Sequence, residues 1–187
     1  MVKIPVWIVD WQHECCGPRM DVADTVDLSL VSCQEHVPPS STTDVPRVVV
    51  HQDDTVDIVG DCIGPVYQEG NLRIYGISVG SLHVGLMAYD GMLPVDRVHH
   101  RGKLWVDRHE HVSLSSTMGQ LVELAWHAAI TRDTGPRSSE IVGYAEGICI
   151  QSTDERSAVQ PRRTDSWAFR LVVDIDTAPP QGPAPML

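Results

Sequence analysis

The sequence predicts an all-β protein, an antiparallel barrel or sandwich of about nine to ten short strands with little helix. The 187 residues include 25 Val and 11 Ile against 12 Leu, and β-branched side chains suit a pleated strand better than a helix. Several segments alternate apolar and polar residues with a period of two. Turn-forming dipeptides recur between these segments, whereas the alternation of strands and helices typical of parallel α/β folds is missing.

The first half of the chain contains strands of differing clarity. Lys3–Val9 is an apolar strand. Val26, Leu28 and Leu30 alternate with polar residues, which indicates a half-buried strand. The next strands are predicted at Arg47–His51 and Thr55–Val59, with a short addition at Cys62–Tyr67.

The middle of the chain is predicted to form a four-stranded meander. Gly80-Ser81 joins Leu72–Val79 to Leu82–Ala88, and Asp90-Gly91 leads into Met92–His99. Arg101-Gly102 is interpreted as the turn into Lys103–Val112, which places His99-His100 at a solvated hairpin tip.

The last third adds three more predicted elements. Gln120–Ile130 fits a short helix or a strand, and its strand neighbours favour a strand with Val122, Leu124 and Trp126 on one face. Glu140–Gln151 is predicted as a strand. The clearest alternation predicts a final strand in which Trp167, Phe169, Leu171, Val173 and Ile175 face the interior.

Domain organisation follows from the same pattern. Residues 1–177 are expected to form one β-rich domain. Residues 178–187 are rich in proline and are expected to be a disordered tail.

Charge and targeting signals restrict the classes of function. The net charge is −11, from 25 acidic and 14 basic residues. This acidity argues against a nucleic-acid or anionic membrane surface, which would need a basic patch. A protein partner or a small-molecule ligand is therefore expected, and the oligomeric state is left open. Neither a signal peptide nor a lipidation motif is recognised, so a cytoplasmic location is expected.

A metal site is the chemistry that the sequence most directly suggests. In the predicted strand Lys103–Val112, the side chains of Asp107, His109 and His111 would share one face with those of Lys103 and Trp105. Two imidazoles and a carboxylate at this spacing could hold zinc or non-haem iron. The alternative is a polar strand face in contact with solvent.

A second group of possible metal ligands lies near the start of the chain. His13, Cys15 and Cys16 could supply imidazole and thiolate ligands to a zinc ion held by the Asp107–His111 strand. We therefore expect the Trp11–Gly17 segment and this strand to meet in space. The alternatives for the two cysteines are a vicinal disulfide or small buried fillers.

The same two segments carry a family resemblance. Trp11-Gln12-x-x-Cys15-Cys16-Gly17, followed by Asp24-x-Val26, resembles the W-Q-x-x-C-C-G opening of an uncharacterised family of small actinobacterial β-rich proteins. Leu104-x-x-Asp107-x-His109 resembles a later segment of that family. The chain departs from the pattern at Ala23, where a glycine is expected, and at Glu110-His111. The resemblance implies a fold class and a host group, and no reaction.

Two functional hypotheses follow. The first is a cytoplasmic small β-barrel protein that binds a partner or ligand as an accessory, without catalysis of its own and with a structural zinc as one option. The alternative is a metal-dependent enzyme, using zinc or non-haem iron, that acts on a small molecule in the barrel.

Overall fold

The computed structural model describes residues 1–16, 19–33, 40–89, 96–107, 116–135, 138–155 and 166–176. About 71% of these residues are in strands and 7% in helices, which confirms the all-β class. Fourteen strands are present in the described part of the chain. The sequence prediction of about nine to ten strands was therefore too low.

The strands vary from two to nineteen residues. Their bounds are β1 Val2–Val9, β2 Thr25–Leu28, β3 Leu30–Cys33, β4 Ser40–Ser41, β5 Arg47–Val50, β6 Val56–Glu69, β7 Leu72–Val79, β8 Leu82–Tyr89, β9 Arg97–Gly102, β10 Leu104–Val106, β11 Thr117–Gly135, β12 Ser138–Tyr144, β13 Ile148–Ile150 and β14 Trp167–Ile175. The helix α1 covers Asp10–Cys16, and a 3-10 turn covers Thr153–Glu155.

The strands form one sheet in the order β12-β11-β14-β1-β10-β3-β8-β7-β6-β9-β4. β2 and β13 also pair with β11, and β5 pairs with β6. Most pairs are antiparallel, but β1 pairs with β10 and β3 with β8 in parallel. Within the described residues this order does not close. The predicted antiparallel pairing thus holds for most of the sheet, with two parallel exceptions, and closure into a barrel is not confirmed.

The sheet bends sharply where β9 meets β10. Only Lys103 separates these two strands, yet β9 pairs with β6 whereas β10 pairs with β1 and β3. Distant parts of the strand order therefore meet at Lys103. The hydroxyl of Ser32, on β3, donates a hydrogen bond to the carbonyl oxygen of Lys103 at 2.9 Å and fixes this junction.

The core lies on the concave side of this bent sheet. The predicted inward face of β14 is confirmed, because Phe169 and Leu171 have no exposed surface and Trp167, Val173 and Ile175 are at most 2% exposed. The neighbouring strand β1 contributes Ile4, Val6 and Ile8 to the same cluster. Burial of this aliphatic and aromatic surface is the main stabilising contribution to the fold.

Two glycines explain where the predicted strand bounds were wrong. Thr55–Val59 and Cys62–Tyr67 are parts of the continuous strand β6, which passes through Gly60. A Cβ at Gly60 would lie 2.7 Å from the carbonyl oxygen of Ser78, so this glycine permits close packing and does not end the strand. Likewise, Arg101-Gly102 does not form the predicted turn but continues β9.

Other predictions for the last third of the chain have clear outcomes. Gln120–Ile130 lies within β11, which confirms the choice of strand over helix. The predicted strand Glu140–Gln151 is divided into β12 and β13. Residues 178–187 lie outside the described residues.

The single α-helix among the described residues follows β1 directly. The backbone N–H of Trp11 donates to Asp10 Oδ1 at 2.7 Å, and a carboxylate in the first turn is favourable at a helix N-terminus. α1 packs against β1 and β14. None of the described helices is long and apolar enough to cross a membrane.

Candidate functional site

The structure places only part of the predicted metal site. His109 and His111 fall in 108–115, outside the described residues, and the side chain of Cys16 is also not described. Asp107 is buried directly after β10, and its backbone N–H donates to the carbonyl oxygen of Ser29 at 2.8 Å. Among the described residues, no three His, Cys, Asp or Glu side chains form a group that could hold a metal ion.

The two described residues of the other predicted ligand group lie on α1. Cys15 is exposed. The ring of His13 lies edge-on to Phe169, with 4.9 Å between ring centroids, and 5.9 Å from Trp167. α1 thus brings His13 to the aromatic end of the core. The expected meeting of the Trp11–Gly17 segment with His109 and His111 stays a prediction, because that strand segment is outside the described residues.

A different group of side chains forms the best-defined candidate site. Trp7 alternates with the core residues Val6 and Ile8, so it points to the opposite face of the sheet. It is nevertheless only 4% exposed. The parallel pairing of β1 with β10 places Trp105 directly beside Trp7. Because Trp7 lies on the outer face and is still buried, other side chains on that face must cover it.

Three further rings surround Trp7 and form what we call the Trp7 cluster: Trp7, Trp105, His127 and Tyr144, together with the ammonium group of Lys103. Tyr144 stacks on Trp7 with ring centroids 5.0 Å apart and an interplanar angle of 28°. His127 and Trp105 lie at 4.9 Å and 6.1 Å from Trp7. Trp105, His127 and Tyr144 are half-buried, so the cluster has a covered floor and an accessible rim.

Two polar atoms in the floor of this cluster are buried and have no hydrogen-bond partner within the described structure: Trp7 Nε1 and His127 Nε2. The other nitrogen of His127, Nδ1, donates to the carbonyl oxygen of Ala145 at 2.8 Å. His127 Nε2 lies against Gly147, where an added Cβ would overlap with the ring, so this atom faces the chain and not a ligand. Trp7 Nε1 offers a proton, and because buried polar atoms are nearly always paired, this N–H points to a missing water or ligand.

Charges of opposite sign lie at the two ends of the cluster. Lys103 Nζ is 5.1 Å from the centroid of the Trp7 ring, within the range of a cation–π interaction. Lys103 comes directly before Leu104, the residue of β10 that pairs with Val6, so it lies on the N-terminal side of Trp7. Asp10 lies on the other side, three residues after Trp7. Partial burial, together with the nearby Asp10 carboxylate, raises the pKa of the Tyr144 phenol. The cluster is therefore positive at its Lys103 end and negative at its Asp10 end.

An ion-pair network borders the cluster on the next strand. Arg170, the register partner of Trp7, donates two hydrogen bonds of 2.7 Å to Asp54 and a third of 2.7 Å to Glu123. Hydrogen bonding to Asp54 raises the pKa of Arg170 further. Asp54 belongs to the turn between β5 and β6, so this half-buried pair ties that turn to the outer face of β14.

A second polar cluster lies on the outer face of β6 and β9. Asp57 Oδ2 is 3.0 Å from Nε2 of His51, and Asp57 Oδ1 is 3.9 Å from Nε2 of His99 and 3.7 Å from Nε of Arg101. Asp61 and Arg97 form a further ion pair of 2.8 Å between the same strands. Register pairing across β6 and β9 explains this arrangement, since acidic residues on one strand face basic residues on the other.

The structure also corrects the prediction that His99-His100 forms a solvated tip. His100 is 1% exposed, and its Nε2 lies 2.7 Å from the hydroxyl oxygen of Ser32. The serine proton is donated to the carbonyl oxygen of Lys103, so His100 donates to Ser32. Burial lowers the pKa of His100 to about 4. This serine is therefore not a nucleophile activated by histidine but part of the β9–β10 junction.

A protein-family model matches nearly the whole chain. A model for a family of unknown function, DUF6578, matches residues 2–177. The chain belongs to the DUF6578 family. No curated protein and no solved structure matches it. All residues of the Trp7 cluster, and all six predicted metal ligands, lie within the matched range of this DUF6578 chain.

Sequence reasoning found part of the Trp7 cluster and missed the rest. It placed Lys103 and Trp105 on one strand face, and both side chains lie against the Trp7 ring in the structure. It did not bring Trp7, His127 and Tyr144 together. The alternation that puts Trp126 on the core side of β11 could have assigned His127 to the outer face.

Proposed function

We propose that this DUF6578 chain is a cytoplasmic binding protein without catalysis of its own, and that the Trp7 cluster is its ligand-binding surface. The observation that carries the proposal is the N–H of Trp7, which has no partner among the described residues and lies in the floor of a cluster whose rim rings are half-buried. Rigid aromatic rings offer a large contact area at a low cost in conformational entropy. A planar ligand suits this arrangement because it can stack on the accessible faces of Trp105 and Tyr144.

Tyr144 is the residue that would admit such a ligand. It is the last residue of β12, which is the edge strand of the sheet, and three residues without regular structure follow it. A ring at the end of an edge strand moves at a lower cost than a ring in the core. A shift of the Tyr144 ring away from Trp7 would let the ligand stack on Tyr144 and Trp105, and the N–H of Trp7 could then donate to an acceptor on the ligand.

The interior of the sheet is a poorer candidate for the binding site. A recess there is apolar and is lined by Ile4, Val6, Leu28, Leu30, Leu82, Thr117, Val173 and Ile175. The Thr117 hydroxyl is already engaged, since it donates to the carbonyl oxygen of His83 and accepts from the backbone N–H of the same residue. The lining residues of this recess therefore have no free polar group to orient a ligand, whereas the Trp7 cluster offers the N–H of Trp7 and the ammonium group of Lys103.

The test is calorimetric titration with 2-naphthamide, an uncharged planar probe. We expect binding, and we expect Trp105→Leu to weaken it by roughly tenfold, the effect of losing one stacking partner. Trp11→Leu is the matched control, because Trp11 is 54% exposed on α1 and is not part of the cluster. Binding that is absent, or that both substitutions weaken equally, would refute the proposal.

The metal site predicted from the sequence is a separate proposal. Asp107 is a buried carboxylate directly before 108–115, the segment that contains His109 and His111. This position supports a zinc or non-haem iron centre, with His13, Cys15 and Cys16 as further ligands, in a metal-dependent enzyme. Elemental analysis of the purified chain tests it. We expect about one metal ion per chain, which His109→Ala/His111→Ala would remove, and a wild-type chain without metal would refute the site.

A further inference from the structure

We propose that the ligand of the Trp7 cluster is a planar aromatic molecule that carries a carboxylate, and that this carboxylate pairs with Lys103. The inference rests on the proposed function and specifies the chemical class of the ligand. It is carried by the position of one ammonium group relative to the rings around it. The ring of the ligand would stack on Trp105 and Tyr144, and its anionic group would lie at the Lys103 end of the cluster.

Lys103 is an unusual cation in this acidic chain. The sequence contains two lysines, Lys3 and Lys103, at a net charge of −11. Among the described residues, the ion pairs join carboxylates to arginines and histidines, and none of them includes Lys103. Its ammonium lies instead over the Trp7 ring at 5.1 Å. An ammonium held at the rim of an aromatic cluster, with no carboxylate of the described residues paired to it, is the complement of an anionic ligand group.

The backbone of Lys103 is fixed, so the position of its side chain is built into the fold. The residue sits at the β9–β10 junction, where its carbonyl oxygen accepts the Ser32 hydroxyl at 2.9 Å. Ser32 in turn accepts from His100, and neither residue is more than 1% exposed. A side chain that starts from such an anchored backbone loses less entropy when it binds an anion than one from a mobile loop.

The charge at the other end of the cluster gives the ligand a direction. Asp10 lies beyond Trp7 along β1, near Tyr144, and its Oδ1 already accepts from the backbone N–H of Trp11. A carboxylate on the ligand is therefore repelled from the Asp10 end and attracted to the Lys103 end. An organic cation stacked on the same rings would meet Lys103 at close range, which disfavours an aromatic cage for ammonium groups.

The experiment compares three probes of the same shape: 2-naphthoate, 2-naphthamide and 2-naphthylmethylammonium. We expect the naphthoate to bind about fivefold tighter than the naphthamide, since a partly exposed ion pair contributes this much, and the ammonium probe to bind most weakly. Lys103→Met should abolish the preference, so that naphthoate and naphthamide bind this variant with equal affinity. Lys103→Arg should preserve the preference, and Lys3→Met, at the other lysine, should change nothing.

The outcomes separate this inference from the proposed function. If no probe binds, the proposed function fails, and the ligand class fails with it. If the naphthamide binds and depends on Trp105 but the naphthoate binds no tighter, the binding surface stands and the anionic ligand class is refuted. A preference for naphthoate that survives Lys103→Met would also refute the role of Lys103. Circular dichroism of each variant confirms that the sheet is retained.

Discussion

The buried His100 makes a specific prediction about stability at acid pH. Its imidazole is 1% exposed and donates to Ser32, and burial together with the neighbouring His99 lowers its pKa to about 4, against the opposing effect of Asp57. In the unfolded chain the pKa returns to about 6.5. Between these two values the unfolded state binds more protons than the folded state, so the free energy of unfolding falls as the pH falls.

The size of this effect follows from the two pKa values. The difference between 6.5 and about 4 corresponds to about 3 kcal/mol, at about 1.4 kcal/mol for each pH unit. The contribution of His100 is fully present above pH 6.5, is lost progressively as the pH falls through this window, and changes no further below about pH 4. This is a large share of the stability of a typical domain.

Urea unfolding followed by tryptophan fluorescence at pH 7.5 and pH 4 measures this loss. His100→Gln keeps a neutral N–H donor for Ser32 but cannot be protonated. We therefore expect its stability to fall by about 3 kcal/mol less than that of the wild type between the two pH values. His83→Gln is the control, since partial burial lowers the pKa of His83 as well, and it should give a smaller difference. Equal pH dependence in His100→Gln and the wild type would refute the reasoning.

Three further substitutions test the packing of the fold by urea denaturation. Phe169→Ala removes a ring without exposed surface and should cost about 3–5 kcal/mol, so a cost below about 1 kcal/mol would contradict its central position. Gly102→Ala places a Cβ 2.7 Å from the serine hydroxyl oxygen of the β9–β10 junction and should cost about 1–3 kcal/mol, whereas Gly143→Ala, with no atom within 4 Å, should be nearly neutral. Arg170→Met leaves its half-buried carboxylate partner unpaired and should lower the free energy of unfolding by about 1–3 kcal/mol. Arg132 forms an exposed ion pair and is the control, so Arg132→Met should change the free energy of unfolding by no more than about 0.5 kcal/mol.

The alternation of apolar and polar residues predicted a strand well where one face of the strand packs on the core and the other carries charged residues. β14 has charged residues on one face and core residues on the other, and its orientation could be predicted. Glycines caused the errors. Gly60 and Gly102 resemble turn signals in the sequence, but both are needed because another chain segment approaches their backbone closely. A single sequence does not distinguish these two uses of glycine.

The candidate site could be predicted only in part for a similar reason. The pattern around Lys103 places Trp105 on the same strand face, and this is a local property. The contact between Trp105 and Trp7 depends on a parallel pairing between residues far apart in the chain. Tyr144 reaches the cluster from the end of an edge strand. Neither relation leaves a periodic signal in the sequence, because both are set by the order of strands in the sheet.

The position of β1 has a consequence for how the chain folds. β1 is synthesised well before its two neighbours in the sheet, β10 and β14, which are formed by residues 104–106 and 167–175. A nascent chain therefore carries an apolar strand with two open edges until most of the sequence has been made. Folding has to close very long loops before the central strands are paired, which slows the reaction and prolongs the exposure of aggregation-prone surface. We expect productive folding to begin in the β6–β8 hairpins and to finish with the insertion of β1.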